Sequence, residues 1–135
     1  MKKEMTIHFI IGPPGSGKTT FRKKRFPTLP HADVWDYQAD CDSLRGVWKS
    51  YVYHRRECIR MAGLGCDFVI EHTLMKAKRR VYYINKLAQH DLVCWYTTWD
   101  GYYVNAMASF ELPQVEEGFA EVWPISEREE QHAKR

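Results

Sequence analysis

Apolar residues form short uninterrupted runs that alternate with stretches of helical spacing. The first run, residues 5–11 (MTIHFII), has the length of a strand and is followed by glycine and prolines. Further strands are predicted at residues 31–37, 67–73 and 92–99, which are rich in β-branched or aromatic side chains. Because the first run is apolar at nearly every position, we expect it to be buried on both faces of a parallel sheet.

Three helices are predicted between these strands. The first covers residues 18–26 and is stopped by a proline, and the third covers residues 76–90. The second begins at residues 42–43 and ends near residues 63–65, with its apolar spacing broken around residues 53–57. Strands that alternate with helices indicate βαβ units and a parallel sheet.

The pattern weakens after Asp100. Residues 119–125 predict a last edge strand, and residues 126–135 form a charged tail. We therefore expect one domain over residues 1–125, followed by the tail. Four tryptophans fall on predicted strands or helices and are expected to pack in the core: Trp35, Trp48, Trp95 and Trp99.

Composition adds little beyond a broad class. The 135 residues carry a net charge of +3, which is mildly basic and does not by itself indicate a nucleic-acid binder. The four cysteines form no C-x-x-C pair, as expected for reduced thiols. The first apolar run is too short for a signal peptide or a membrane span, so we expect a cytoplasmic protein without a membrane partner.

The strongest motif follows the first strand and fits G-x-x-x-x-G-K-[ST] at every required position. Its glycines allow the backbone to wrap a phosphate, and the helix that follows adds its positive end. Lys18 is expected to bridge the β- and γ-phosphates, and Thr19 to bind Mg²⁺. The sequence thus predicts a P-loop that binds ATP with Mg²⁺ through Gly12, Pro13, Pro14, Gly15, Ser16, Gly17, Lys18, Thr19 and Thr20.

A second candidate, Asp42 with Arg45, follows the second strand. Residues three apart share a helix face, so both side chains could point into the crevice at the carboxyl edge of the sheet. There Asp42 could take the proton of an attacking hydroxyl, and Arg45 could hold a phosphate. Asp42 could equally be a helix cap and Arg45 a surface residue, and Asp36 and Asp40 are rival carboxylates.

Glu71 ends the apolar strand that contains it, where P-loop proteins place an acid that binds magnesium. Thr73, Arg79 and Arg80 follow, and these residues could contact a substrate phosphate. The basic residues could also be ordinary surface charge.

Together these motifs resemble the P-loop kinases of the polynucleotide 5′-hydroxyl kinase group, including small phage and bacterial members. The resemblance rests on the P-loop, on D-x-x-R at residues 42–45, on the strand that ends in Glu71, and on the basic helix after it. Residues 110–119 also match the F-x-x-P-x-x-x-E-G-F stretch that closes many of these domains. The resemblance implies a three-layer P-loop NTPase fold with a four- to five-stranded, mainly parallel sheet.

The resemblance also implies roles for individual residues. Asp42 would be the general base, Arg45 would contact the acceptor phosphate or position the base, and Glu71 would replace the aspartate of the family. Two departures stand out: Leu74 occupies the position of a usual asparagine, and residues 100–118 contain no arginine or lysine. The lid is therefore reduced, and Arg79 or Arg80, or a partner, would have to supply the missing charge.

These observations favour a kinase that transfers the γ-phosphate of ATP to a hydroxyl, with the 5′ end of DNA or RNA as the leading acceptor. A nucleoside, nucleotide or other small hydroxyl compound would use the same core. A nucleotide-binding module with little transfer activity, or an ATPase that serves a partner, remains an alternative because of the missing lid arginine. The sequence leaves the acceptor and the oligomeric state open.

Overall fold

A computed structural model describes residues 5–34, 44–102 and 104–125 of the protein, with the backbone alone for residues 44–47. Within these ranges, five strands form one sheet in the order β2-β3-β1-β4-β5, and all neighbouring strands are parallel. The strands are β1 (Thr6–Ile11), β2 (His31–Asp33), β3 (Phe68–His72), β4 (Asp91–Thr97) and β5 (Glu121–Ile125). The predicted α/β class, the parallel sheet and the last edge strand are therefore confirmed.

The helices lie between the strands as predicted. They are α1 (Lys18–Arg25), α2 (Leu44–Ala62) and α3 (Ala77–Lys86), and two short 3₁₀ turns follow at Ala106–Ser109 and Val115–Glu117. The second strand was predicted to reach residue 37, but β2 ends at Asp33 and residues 35–37 lie outside the described part of the chain. The tail, residues 126–135, also lies outside it.

The predicted second helix is confirmed, and α2 runs for 19 residues without interruption across residues 53–57, where the apolar spacing is broken. Its buried face passes through Ser50, His54, Cys58 and Met61, which follow helical spacing. Two of these residues are polar, so an apolar pattern alone suggested a gap. His54 is satisfied inside the core, with one ring nitrogen 2.8 Å from the Tyr83 hydroxyl and the other 2.9 Å from a backbone carbonyl.

Strand β1 is buried on both faces, as its apolar run predicted. Phe9 and its face-sharing neighbours pack in the larger core cluster, with residues of α2 and α3. Ile10 belongs to a separate cluster on the opposite face, where Phe21 of α1 packs. The sheet thus lies between α1 on one side and α2 with α3 on the other, which is a three-layer arrangement.

The tryptophans do not all pack in the core. Trp95 is partly buried against Phe21 and Phe26, as expected. Trp48 and Trp99 are 58% and 49% exposed, so the core prediction is wrong for both. Trp35 lies outside the described residues. Within the described ranges, no helix combines the length and apolar character needed to cross a membrane.

Candidate active site

Glycines shape the loop between β1 and α1 at positions where a side chain would collide with its neighbours. Gly12 has a φ of 154°, and a Cβ atom there would lie 1.9 Å from the Thr97 hydroxyl oxygen. Gly15 has a φ of 74°, and a Cβ atom there would lie 2.5 Å from the Tyr102 ring. Because both positions combine positive φ with close packing, only glycine fits the loop.

The loop opens onto a cavity of about 600 Å³, within the size range of small-molecule sites. Helix α1 begins at the edge of this cavity, and its first amides give the site a positive end suited to phosphate. Ser16 is buried instead and closes the turn by donating its hydroxyl to the Pro13 carbonyl at 2.6 Å. The cavity lining is Pro14, Gly15, Gly17, Lys18, Thr19, Thr20, Glu71, Trp99 and Tyr102.

The Lys18 ammonium is buried within the loop. Its Nζ donates to the carbonyls of Gly12 and Pro13, at 2.9 and 2.8 Å. Burial lowers the pKa of Lys18 to about 8, although the negative charges of Glu71 and Asp33 oppose this change. A triphosphate in the cavity would offer stronger acceptors than the two carbonyls and would favour the charged lysine.

Thr19 and Glu71, both predicted as metal ligands, lie in direct contact. The Thr19 hydroxyl donates to Glu71 Oε2 at 2.6 Å, and Arg22 Nε donates to Glu71 Oε1 at 2.8 Å. Glu71 is only 1% exposed, so its carboxylate is fixed by these two partners. A hydroxyl and a carboxylate are hard oxygen donors that suit Mg²⁺.

The described residues contain no group of three His, Cys, Asp or Glu residues that could hold a metal by itself. A magnesium ion at Thr19 and Glu71 would therefore complete its coordination with phosphate oxygens and water, as Mg²⁺ commonly does. The donor set fits a metal that arrives with a nucleotide better than a permanently bound ion.

A second, smaller cavity of about 210 Å³ lies on the other side of the end of β3. Glu71 lines the P-loop cavity and His72 lines the second one, because successive residues of a strand point to opposite faces. The lining includes three cations and no carboxylate of the described chain: Tyr51, Arg55, His72, Thr73, Leu74, Met75, Lys76, Arg79 and Tyr83.

His72 is neutral at this position. Burial lowers the pKa of its imidazole well below the usual value, and the charges of His54, Lys18 and Arg55 act in the same direction. Its Nδ1 accepts a hydrogen bond from the Thr73 amide at 2.7 Å. In the neutral ring the proton is then carried by Nε2.

Arg80 does not reach either cavity, in contrast to the prediction that it contacts substrate or replaces the lid arginine. Its side chain is fully buried, and its Nε donates to Glu117 Oε1 at 2.7 Å. Its other nitrogens donate to the carbonyls of Leu74 and Glu111, each at 2.8 Å. Arg80 thus joins α3 to the closing segment, whereas its neighbour Arg79 lines the second cavity.

The E-G-F sequence is explained by this packing. Glu117 binds Arg80, and a Cβ atom at Gly118 would lie 2.5 Å from Ile84 Cγ2. Phe119 is buried, with its ring centroid 5.5 Å from that of Phe9. Residues 117–119, which are part of the stretch that matches the resembled kinases, therefore stabilise the fold.

Leu74, the position of a usual asparagine in the resembled kinases, has a φ of 38°. Asparagine tolerates this left-handed conformation better than other non-glycine residues. Here the leucine side chain is buried in the core. The strained backbone of Leu74 is held by this apolar packing and by Arg80, which donates a hydrogen bond to the Leu74 carbonyl.

Asp42 lies outside the described residues, as do its rivals Asp36 and Asp40, and only the backbone of Arg45 is described. Arg45 is the second residue of α2, the helix that supplies Tyr51 and Arg55 to the second cavity. The roles of Asp42 and Arg45 therefore remain predictions.

The sequence did not single out Arg22, Tyr51, Arg55 or Tyr102. Arg22 could have been found, because it lies four residues after Lys18 and so shares its helix face. Tyr51 and Arg55 have the same spacing on α2, but nothing in the sequence indicates that α2 and α3 enclose a cavity between them.

The chain was compared with protein-family models, curated proteins and solved structures. No protein-family model matches the chain, and none of the curated proteins matches it. Solved structures do match: a protein of Chloroflexus aurantiacus to which kinase activity is attributed has a TM-score of 0.55 at 14% identity, over 70% of this chain. The PezAT toxin–antitoxin system of Streptococcus pneumoniae has a TM-score of 0.58 at 17% identity, over 72% of this chain.

The chain shares its fold with solved structures described as kinases. A sugar kinase of Janibacter sp. is similar over 98% of this chain and 91% of its own, with a TM-score of 0.54 and 14% identity. The chain spans only 58% and 48% of the Chloroflexus and Streptococcus structures. At these identities the similarity establishes the fold, and the substrate must be argued from the site.

Proposed function

We propose that this P-loop kinase-fold protein is an ATP-dependent phosphotransferase whose acceptor is a hydroxyl compound that carries a phosphate, with the 5′-hydroxyl end of DNA or RNA as the leading candidate. The observation that carries the proposal is the pair of cavities on either side of the end of β3. One has the P-loop with Lys18, Thr19 and Glu71, and the other is lined by cations.

The P-loop cavity supports the donor half of the proposal. The amides of the loop and the Lys18 ammonium are suited to the triphosphate, and Thr19 with Glu71 would hold Mg²⁺. When bound, the metal ion neutralises charge on the phosphate oxygens. Arg22 keeps the Glu71 carboxylate in place through its 2.8 Å ion pair.

The second cavity supports the acceptor half. Arg55, Lys76 and Arg79 line it without a described carboxylate to neutralise them, so an anionic group of the acceptor would be favoured there. The Tyr51 ring lines the same cavity and offers a flat surface beside the cations. A nucleic-acid end combines a hydroxyl, a phosphate and a base, and therefore fits this lining better than an uncharged sugar.

The transfer itself needs one base and correct positioning. The acceptor oxygen attacks the γ-phosphorus, the bond from that phosphorus to the β–γ bridging oxygen breaks, and ADP leaves. The proton of the hydroxyl passes to a carboxylate, a role for which Asp42 is our candidate. Asp42 lies two residues before the start of α2, the helix that contributes Tyr51 and Arg55.

A binding module with little transfer activity is the second candidate. The segment from residue 100 to residue 118 lacks basic residues, and Arg80 is engaged by Glu117. Of the two predicted substitutes for the lid arginine, only Arg79 then remains to supply charge at the γ-phosphate.

The test is transfer of label from γ-labelled ATP with Mg²⁺ to a 5′-hydroxyl oligonucleotide, with buffer alone as the blank. We expect labelled oligonucleotide from the unmutated protein and from Asp40→Asn, and none from Asp42→Asn, which should still bind ATP. If Asp40→Asn loses the transfer activity instead, the general base is Asp40 and not Asp42. Binding of ATP without label on any hydroxyl acceptor would favour the module.

A further inference from the structure

Two aromatic side chains, Trp99 and Tyr102, line the P-loop cavity from the segment that follows β4. Trp99 is 49% exposed and Tyr102 is 83% exposed. Exposed rings that line one cavity together can form an apolar surface for a ligand. Tyr102 lies in the segment of residues 100–118, which contains no arginine or lysine, and Trp99 immediately precedes that segment.

The segment is fixed on the P-loop by its backbone. The Tyr102 amide donates to the Pro14 carbonyl at 3.2 Å, and a Cβ atom at Gly101 would lie 2.4 Å from that carbonyl oxygen. Asp100 Oδ1 accepts a hydrogen bond from the Met107 amide at 2.6 Å, which closes the turn. The two rings are therefore held at the cavity rather than carried on a free loop.

The remaining lining says what these rings can recognise. Bases are distinguished mainly by paired hydrogen bonds to their edges, from Arg or Lys to guanine and from Asn or Gln to adenine. The described lining contains no Arg, Asn or Gln, and its Lys18 is bound to two loop carbonyls. Its one carboxylate, Glu71, is held by Thr19 and Arg22. The threonine hydroxyls can bond to any base and do not distinguish them. Stacking on an aromatic ring accepts any base because every base has a π face.

We propose that the base of the donor nucleotide stacks on Trp99 and Tyr102, and that the site therefore accepts ATP and GTP with similar affinity. This inference rests on the proposed function, because it assumes that the triphosphate occupies the P-loop. The rings form the base-binding wall of the cavity, and the phosphates supply the remaining affinity.

Titration calorimetry with Mg²⁺ would measure the affinities of ATP, GTP and inorganic tripolyphosphate, which lacks a base. The variants are Trp99→Leu and Tyr102→Leu, which keep apolar bulk but remove the ring. Trp123→Leu is a matched control, because Trp123 is also 49% exposed but lies in β5 and outside the P-loop cavity.

We expect ATP and GTP to bind the unmutated protein within about threefold of each other, and Trp99→Leu to weaken both about tenfold. Tripolyphosphate affinity should be the same in Trp99→Leu and Trp123→Leu. Equal affinity of the unmutated protein for tripolyphosphate and ATP, or an unchanged ATP affinity in both ring variants, would overturn the stacking alone. Failure of all three ligands to bind would overturn the proposed function and this inference with it.

Discussion

The two cavities beside β3 differ in how their residues are specified. The P-loop cavity takes most of its lining from one continuous stretch, residues 14–20. The second cavity takes Tyr51 and Arg55 from α2 and the rest of its lining from residues 72–83. Phosphate binding by a backbone loop needs a fixed local sequence, whereas an acceptor site is assembled by packing between elements. The first was therefore readable as a motif, and the second becomes visible only in the fold.

The same contrast appears between two adjacent arginines. Arg79 lines the acceptor cavity, and Arg80 is buried in an ion pair with Glu117. The two arginines could not be distinguished from the sequence, since both follow the same strand. The helical rotation between consecutive residues places one at the cavity and the other in the core.

The largest effect is expected from Arg80→Ala. Removing one partner of a buried ion pair leaves the other uncompensated, which costs about 3–5 kcal/mol of unfolding free energy. Arg79→Ala is the matched control and should change the stability little. Urea denaturation of both variants, followed by circular dichroism, provides the measurement.

If Arg80→Ala does not fold, Glu117→Gln would test the same ion pair with a side chain of equal shape. A stability of Arg80→Ala equal to that of Arg79→Ala would contradict the structural role of Arg80.

Lys18→Ala should weaken ATP binding by about 100-fold or more, because it removes the charge-assisted contacts of the P-loop lysine with the phosphates. Lys23→Ala, an exposed lysine of the same helix, should leave the affinity unchanged. Calorimetric titration with Mg·ATP would measure both. Equal affinities of the two variants would remove the basis for the donor site.

Arg55→Ala and Arg79→Ala should each raise the KM for a phosphate-bearing acceptor by about tenfold, the lower end of the effect of one charged hydrogen bond. The dissociation constant of ATP should change little, because neither residue lines the P-loop cavity. Steady-state kinetics at saturating ATP would measure the KM. An unchanged KM in both variants would place the acceptor elsewhere.

The pKa of Lys18, lowered to about 8 by burial, predicts a pH dependence of ATP binding that is small near neutral pH. ATP affinity should fall as the pH rises above 8, by at most about tenfold per pH unit, because the free protein must take up a proton to bind. The phosphates of ATP no longer titrate in that range. The Lys18→Met variant should bind ATP weakly, and its affinity for ATP should not fall as the pH rises.

The same lowered pKa changes the stability of the free protein in the opposite direction from the ATP affinity. Between pH 8 and the ordinary lysine value of 10.5, the unfolded chain holds a proton that the folded protein has lost. The free protein should therefore gain stability from this group as the pH rises through that window. A flat ATP affinity from pH 7.5 to pH 9.5 would contradict the lowered pKa.

Much of the fold could be predicted from the sequence because its signals are local. The apolar run of β1, the glycine loop and the start of α1 follow one another, and each restricts the next. The apolar spacing of α2 is interrupted at His54 because this polar side chain forms its hydrogen bonds inside the core. The core prediction was wrong for Trp99 because its apolar ring follows β4 and lines the P-loop cavity.

The candidate site was predictable where local motifs and the common edge of a parallel sheet determine it. Lys18, Thr19 and Glu71 lie together as expected, since the carboxyl ends of parallel strands meet at one edge of the sheet. The positions of Arg79 and Arg80 depend on how α3 packs against residues 110–119, which no local pattern encodes.

The central claim is that a triphosphate at the P-loop faces a phosphate-bearing hydroxyl compound at the cationic cavity. The most direct measurement compares label transfer from γ-labelled ATP to a nucleoside 3′-phosphate and to the same nucleoside without the phosphate. The account predicts a kcat/KM at least about tenfold higher for the phosphorylated acceptor, and a loss of that preference in the Arg55→Ala/Arg79→Ala double variant. Equal transfer to both acceptors, or a preference that survives in the double variant, would contradict it.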